Sequence, residues 1–288
     1  MDYLRHLIAS NNFDPEAFVP FVLDGRQVGW ISREFRQRLL NEPVFIEQMN
    51  SISLRPDISG FEQRTAVLME VVQKLHAEEM IPLIMNEPYP VTDCCRDDPL
   101  CLIDRPAAAR FGIRSYGQHV NGFVRTPEGI MMWIGKRAMD RGICPGQLDQ
   151  LVAGGLPYGI SLDENLRKEC YEEAGIDEAI ASQAIPTGLV RYRKMTERGG
   201  KEDVLYIYDL ELPADFTPRN TDGEVEEFRL LPIEEVARIV RETDDFKLNC
   251  NLVIIDFLIR HGLLTPDHED YLSLVSGLRC PEYFASNS

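Results

Sequence analysis

The chain contains segments in which apolar residues recur every second position and others in which they recur at helical spacing. Residues 18–22 and 27–31 alternate and flank Asp24-Gly25, a dipeptide typical of hairpin turns. Ser32 is placed to cap a helix that runs to about residue 40. Residues 60–79 carry apolar side chains on one helical face and predict a long helix. We therefore expect a small α+β domain over residues 1–112.

The rest of residues 1–112 is predicted to contain a further helix, a strand and a loop, and the chain beyond residue 113 is predicted to be rich in strands. A short helix is expected at 4–8, a strand within 44–54 and a loop-rich passage at 88–99. From residue 113 onward, strands predominate. Strands are predicted at 116–125, 129–137, 189–194, 204–212 and 226–232, and helices at 162–174, 232–242 and 248–261, the last of them amphipathic. The second domain is thus expected over residues 113–288, again with mixed α and β structure.

Length and charge narrow the classes of function. The 288 residues suffice for two domains, and the net charge of −17 argues against binding to a nucleic-acid backbone. No apolar run is long enough to span a bilayer, and the first residues have no secretory signal pattern. We expect a cytoplasmic protein with neither a nucleic acid nor a membrane as partner.

The cysteine spacing leaves two interpretations open. Cys94, Cys95 and Cys101 lie close together in sequence, and a zinc site there would need a fourth ligand that the spacing does not reveal. Reduced, mostly structural thiols are the favoured interpretation. The other cysteines are Cys144, Cys170, Cys250 and Cys280.

Three glutamates in the predicted helix at 162–174 are the strongest chemical signal. Glu169, Glu172 and Glu173 are spaced so that their carboxylates share one helix face, where like charges repel unless a cation compensates them. Gly175 follows at a position where glycine often ends a helix. The arrangement predicts a divalent-metal site for a phosphate ester, although a solvated acidic helix face would give the same triplet.

At these residues the chain resembles the Nudix hydrolases, whose signature reads Gly-x5-Glu-x7-Arg-Glu-U-x-Glu-Glu-x-Gly-U, with U an aliphatic residue. Residues 168–176 match its second half, with Lys168 in place of Arg and Cys170 at the first aliphatic position. The first half departs, because Ile160 stands where the family has its first Glu. Counted from Gly155, the loop is also one residue shorter than the signature. In the family, that Glu and the Arg help to brace the loop and the helix.

The resemblance implies a fold, a cofactor and roles for individual residues. The fold is an α/β/α sandwich with a mixed sheet, here preceded by the smaller α+β domain, and the cofactor is Mg²⁺ or Mn²⁺. Glu169, Glu172 and Glu173 are the expected metal ligands and catalytic residues, and Glu169 either shares the metal or acts as the base. A further glutamate from a late loop, Glu224 or Glu226, is expected to supplement them. We assign Glu224 to catalysis and Glu226 to the metal.

Basic residues and glycines near the glutamates are candidates for substrate binding. Lys136 and Arg137 end a predicted strand and can form charge-assisted bonds to phosphate oxygens, as can Arg191 on another strand. A solvated strand end explains Lys136 and Arg137 equally well. The backbone of a loop at Gly154 and Gly155 is expected to complete the site.

A narrower resemblance joins several segments. Residues 133–137, 144–149, 152–155, 168–174 and 222–236 are similar to the Nudix subgroup related to thiamine pyrophosphokinases, which carries an N-terminal domain of similar size. This resemblance implies hydrolysis of thiamine diphosphate, or of its oxidised or damaged analogues, to the monophosphate. The alternatives are another nucleoside or dinucleotide diphosphate pyrophosphatase, an isoprenoid diphosphate isomerase, or a binding module without catalysis.

The N-terminal domain is expected to shape the substrate pocket or to mediate formation of a homodimer. Large aromatic side chains offer stacking surfaces for a ring of the substrate, although such residues more often belong to the core. The candidates are Trp30, Tyr116, Phe123 and Trp133.

Overall fold

The computed structural model describes residues 2–140, 142–221 and 223–281. Its N-terminal sheet consists of β1 (Phe18–Leu23), β2 (Arg26–Ser32), β3 (Phe45–Gln48) and β4 (Ser51–Leu54). The strand order is β2-β1-β4-β3, with β1 and β4 parallel and the other neighbours antiparallel. The hairpin predicted around Asp24-Gly25 is confirmed.

Helix α1 (Leu4–Ser10) precedes this sheet in sequence, whereas α2 (Arg33–Leu39), α3 (Phe61–Ala77) and α4 (Ala108–Phe111) contribute to the core that packs on it. Turns of 3₁₀ helix lie at Pro15–Ala17 and Arg105–Ala107. Ser32 caps α2 as predicted, because its hydroxyl accepts the N–H of Phe35. Phe21, Phe35 and Phe111 are fully buried and form the centre of the N-terminal core.

The structure refines two sequence predictions in this region. Residues 44–54 form two strands, because Met49 and Asn50 adopt positive φ angles of 44° and 62° and turn the chain into a hairpin. The passage at 88–99, expected to be loop-rich, begins with β5 (Pro88–Val91), which pairs with β6 (Cys101–Asp104). Prolines are tolerated there because β6 is the one strand paired with β5 among the described residues, and a residue without an N–H can face the other edge.

The second sheet contains β7 (Arg114–Thr126), β8 (Gly129–Arg137), β9 (Leu148–Asp149), β10 (Val152–Gly155), β11 (Ile185–Thr196), β12 (Gly199–Glu211) and β13 (Val225–Pro232). Its main order is β11-β12-β7-β8-β13, while β10 pairs with β7 and β9 with β8. Only the β12–β7 pair among these described strands is parallel. The sheet is therefore mixed, as expected.

Helices lie on both faces of this sheet and confirm the sandwich. One face carries α5 (Leu162–Ala174), followed by α6 (Glu178–Ala181). The other carries α7 (Ile233–Glu242), α8 (Leu248–Arg260) and α9 (Tyr271–Gly277). Helix α8 was expected to be amphipathic, but its residues from Asn249 to Leu258 are all buried, because α1, α7 and α9 pack around it.

The first helix joins the two halves of the chain. Tyr3, just before α1, and Leu7 within it pack in the core between the second sheet and α8, although they precede the N-terminal sheet in sequence. The side chain of Asn11 accepts the N–H of Arg193, and that of Asn12 accepts the N–H of Met195. The start of the chain is therefore anchored on the second domain. Among the described residues, the structure contains no helix with the length and apolarity to cross a membrane.

Candidate active site

Helix α5 forms over the residues that the sequence predicted. Ser161 and Glu164 make a capping box, in which each side chain bonds to the backbone N–H of the other residue. Gly175 ends the helix with a φ of 64°, in the left-handed region that glycine adopts without strain. Leu166 and Cys170 are buried against the sheet. Because Glu169 lies three positions after Leu166 and Glu173 three after Cys170 on the helix surface, this packing also directs the two glutamates toward β10.

Glu173 is the most buried of the three glutamates. Its side chain accepts the N–H of Ala153 at 2.8 Å, and the residue is only 8% exposed. Burial, together with repulsion from Asp149, Glu169 and Glu224, raises the pKa of Glu173 to about 8. A carboxylate held among other carboxylates at low exposure is a group whose ionised form a divalent cation would stabilise.

Glu169 lies directly against strand β10. A Cβ atom placed on Gly154 would be 2.4 Å from Cδ of Glu169, so only glycine leaves room for this carboxylate. Burial raises the pKa of Glu169, and the charges of Glu172 and Glu224 raise it further.

The expected loop at Gly154 and Gly155 is instead the strand β10, which pairs with residues 117–120 of β7. The segment without regular structure begins at Leu156. Gly154 is the glycine that contacts the helix, so we align the first glycine of the signature with Gly154. Five residues then separate Gly154 from Ile160, the same spacing as in the signature. The expectation of a shortened loop is corrected, whereas the replacement of Glu by Ile160 stands.

Glu172 shares a cation with Glu169. The ammonium group of Lys168 lies 2.8 Å from Glu172 Oε2 and 3.1 Å from Glu169 Oε1. Lys168 therefore holds the two carboxylates together in place of the signature's arginine. Because lysine is a compact point charge with a flexible stem, it can move aside for a metal ion more readily than a forked guanidinium.

The late glutamates differ in position. The charge of Glu224 acts on both Glu169 and Glu173, whereas Glu226 Oε2 pairs with Lys136 Nζ at 3.2 Å. The segment before Glu224 is docked on the helix end, since Thr221 donates its N–H and hydroxyl to the carbonyl of Glu172. Of the two candidates, Glu224 is thus the one whose charge acts on the triplet. Asp222 of the same turn lies outside the described residues.

The atoms of these glutamates that could bind a metal are carboxylate oxygens, the ligand type that Mg²⁺ and Mn²⁺ prefer. The residues present therefore fit a hard divalent cation held by Glu169, Glu172 and Glu173, with Glu224 beside them.

The predicted phosphate-binding cations all have protein partners. Arg137 donates to Asp149 Oδ2 at 3.1 Å and to the carbonyl of Ile143, and Lys136 pairs with Glu226. Arg191 pairs with Glu202 at 3.2 Å, a carboxylate that also accepts from Arg114 at 2.8 Å. Their role in substrate binding stays a prediction.

A second group of ligand-type side chains lies on the opposite side of the sheet from α5. Among the described residues, His119, Asp149 and Cys250 form the trio of ligand atoms within 4.8 Å of one another. Asp149 already accepts from Lys247 at 3.3 Å and from the Cys250 thiol at 2.8 Å. Burial alone would raise the pKa of Asp149, but Lys247, His119, Cys250 and Arg137 together lower it to about 2. The trio thus has its own compensating cations and ties β9 to α8.

Sequence reasoning missed residues that the N-terminal domain brings to the site. Arg105 Nη1 lies 3.0 Å, and the hydroxyl of Tyr89 2.7 Å, from the position of a Cβ on Gly155. Arg105 also pairs with Glu87 at 2.9 Å, and the charge of Glu169 acts on its guanidinium. No local motif marks Arg105, because only the tertiary fold brings the turn after β6 next to β10.

A cleft of about 720 Å³ lies between residues 94–97 of the N-terminal domain and residues 158–164 before and within α5, with Tyr206 in its wall. Of the aromatic candidates, Tyr116, Phe123 and Trp133 are buried in the core, and Trp30 packs on Phe13. Cys94, Cys95 and Cys101 do not form a cluster, since Cys101 is buried while Cys94 and Cys95 are exposed.

Comparisons with known proteins agree with this geometry. Residues 2–115 match the family described as "Domain of unknown function (DUF4743)", and residues 115–251 match the NUDIX domain. Nudix hydrolase 20, chloroplastic, from Arabidopsis thaliana is 44% identical over 272 residues, which cover 91% of this chain and 73% of the relative. Nudix hydrolase 24, chloroplastic, from the same plant is 45% identical over 91% of this chain and 73% of its own length.

A yeast relative shares both domains at lower identity. The uncharacterized protein YJR142W of Saccharomyces cerevisiae is 32% identical, with 92% of this chain and 84% of the relative covered. The glutamate helix, the sandwich and these relatives lead to one conclusion: the chain belongs to the Nudix hydrolase family.

Proposed function

We propose that this protein is a metal-dependent hydrolase that cleaves a diphosphate linkage, and that its substrate is thiamine diphosphate or an oxidised or damaged analogue, converted to the monophosphate. The observation that carries the proposal is the buried carboxylate of Glu173, which lies among like charges at the end of a helix that also presents Glu169 and Glu172. Such a group is stable in its ionised form only with a cation beside it.

The roles follow from position. Glu169, Glu172 and Glu173 would hold Mg²⁺ or Mn²⁺, which when bound supplies charge neutralisation and lowers the pKa of water. Glu224, whose charge acts on Glu169 and Glu173, is proposed to accept a proton from the attacking water, a role for which Glu169 is the alternative. Arg105 and Lys168 offer charge-assisted hydrogen bonds to the diphosphate oxygens.

The identity of the substrate rests on the resemblance of residues 133–137, 144–149, 152–155, 168–174 and 222–236 to the thiamine-related subgroup. The cleft beside Tyr206 has a volume of about 720 Å³, enough for the organic part of a small diphosphate. Since residues 94–97 form one wall of this cleft, the N-terminal domain is proposed to shape the substrate pocket.

The test is a panel of diphosphates assayed with Mg²⁺ and with Mn²⁺, in which phosphate release and product mass are measured. The panel includes thiamine diphosphate, its oxidised analogues, dinucleotides, nucleotide sugars and isoprenoid diphosphates. We expect metal-dependent production of the thiamine monophosphate. Turnover of only another diphosphate in the panel would identify that compound as the substrate instead. No turnover, combined with thermal stabilisation by a ligand, would show a binding module instead.

Two further expectations remain proposals. A homodimer is checked by light scattering of the purified chain, and a cytoplasmic location by fractionation of cells that express it.

A further inference from the structure

The loop that leads into α5 is held by the N-terminal domain. Arg96 donates one hydrogen bond to the carbonyl of Pro157 at 2.9 Å and another to the carbonyl of Ile160 at 2.8 Å. Its side chain is only 9% exposed and also pairs with Asp97 at 3.2 Å. One guanidinium thus spans both ends of the turn before the helix.

Other contacts come from the same side. Tyr158 donates its N–H to the carbonyl of Pro88 at 2.8 Å, and its ring contacts Phe61. Gly159 has a φ of 88°, and a Cβ placed there would meet no atom within 4 Å, so this part of the loop lacks side-chain packing of its own. The position of the loop therefore depends on partners outside it.

The family's own brace is missing at this place. Ile160 packs with Tyr116, Leu156 and Val204 on the sheet, where a carboxylate would be costly. Lys168 is directed to Glu169 and Glu172. The carbonyls of Pro157 and Ile160 accept hydrogen bonds from Arg96 instead.

We propose that Arg96 is a positioning residue of the hydrolytic site, which replaces from the N-terminal domain the brace that a Glu at position 160 gives to other members of the family. The capping box at Ser161 begins one residue after the braced carbonyl of Ile160, so the loop sets where α5 starts. Because α5 is rigid, its start also sets the position of the glutamates two to three turns later.

The experiment compares the full chain with Arg96→Ala, Arg96→Lys and the control Arg26→Ala. Arg26 pairs with Asp93 in the same part of the N-terminal domain, and its described side-chain hydrogen bonds go to Asp93 and Cys94 rather than to the loop before α5. Hydrogen exchange is measured at the amides of residues 158–162, and Mn²⁺ affinity by electron paramagnetic resonance. In Arg96→Ala we expect faster exchange at these amides, weaker Mn²⁺ binding and a kcat about tenfold lower, since small displacements of catalytic groups are costly.

The lysine variant separates bracing from folding. A single ammonium cannot bond both carbonyls in the way that the guanidinium does, so Arg96→Lys is expected to fold and to show an intermediate effect. Unchanged exchange at residues 158–162 in both variants, or equal changes in Arg26→Ala, would overturn the proposal. The kinetic measurement rests on the proposed hydrolase function, whereas exchange and Mn²⁺ binding do not. Absence of turnover in the unmodified chain would therefore refute the proposed function. Hydrogen exchange and Mn²⁺ binding would then decide the role of Arg96.

Discussion

The carboxylate of Glu169 lies on the backbone of Gly154, at a distance that excludes any side chain there. This contact joins the strand before the loop to the helix after it. A methyl group at Gly154 would meet three atoms of the glutamate side chain at 2.4 to 2.7 Å. The glutamate would have to move, and with it the proposed metal site.

We therefore expect Gly154→Ala to lower kcat by about a hundredfold, because an ångström of displacement at a catalytic group has effects of this size. Gly142→Ala is the control, since a Cβ there meets nothing within 4 Å. Steady-state kinetics on the substrate that the panel identifies would measure both. Equal activity of Gly154→Ala and the unmodified chain would show that Glu169 does not need its present position.

Replacement of Glu173 by glutamine tests the metal site directly. Glutamine has the same shape and can still accept the N–H of Ala153, but it lacks the charge that a divalent cation needs. Turnover is expected to fall at least about a hundredfold while the circular dichroism spectrum stays unchanged. The exposed Glu70→Gln on α3 serves as the control for the loss of one carboxylate. Undiminished hydrolysis by purified Glu173→Gln would contradict the assignment.

The same carboxylate predicts a pH dependence of stability in metal-free protein. The pKa of Glu173 is raised from an ordinary value of 4.5 to about 8 by burial and neighbouring charge. Between these values the folded state binds more protons than the unfolded state, so the free energy of unfolding falls as pH rises. The limiting slope for one proton is about 1.4 kcal/mol per pH unit.

Denaturant titrations of the chelator-treated protein from pH 5 to pH 8 would measure this slope. Addition of Mn²⁺ and the Glu173→Gln substitution are each expected to reduce it, because the first offsets the charge and the second removes it. A slope that is the same in all three samples would show that Glu173 does not titrate in this range.

Arg105 of the N-terminal domain lies against Gly155 of β10, beside the proposed metal site. If its guanidinium contacts a diphosphate oxygen, Arg105→Ala is expected to raise KM by about tenfold to a hundredfold, the range for a lost hydrogen bond to a charged group. Arg198→Ala, at the exposed turn between β11 and β12, is the matched control. Inorganic phosphate should also inhibit the Arg105→Ala variant less strongly. Identical KM values for the two variants would show that Arg105 does not contribute to substrate binding.

The buried charges around Asp149 are expected to matter for stability rather than for catalysis. Lys247→Met leaves Asp149, which is 5% exposed, with Arg137 as its cation. We expect a loss of about 3 kcal/mol in the free energy of unfolding, because one partner of a buried ion pair is removed. Arg55→Met breaks the exposed pair with Asp57 and should leave the free energy of unfolding nearly unchanged. Similar losses in both variants would show that burial does not distinguish the two pairs.

Local chemistry explains why much of the fold could be predicted. The hairpin at Asp24-Gly25, the cap at Ser32 and the end of α5 at Gly175 each depend on residues within one turn of the chain, and all three predictions were confirmed. Errors arose where local signals are ambiguous. The prolines at 88 and 90 indicate a loop, but they are tolerated in a strand that leaves one edge unpaired.

The sequence by itself determined the glutamate helix and its chemistry, because residues three and four positions apart on a helix must share a face. Tertiary structure alone decided what surrounds that helix. It brought Gly154 under Glu169, set Glu224 rather than Glu226 beside the triplet, and placed Arg96 and Arg105 of the N-terminal domain at the loop and at β10. Arg96 and Arg105 lie about 50 to 65 residues before the loop and the strand that they contact. Their contacts depend on how the two domains pack together, which no local pattern encodes.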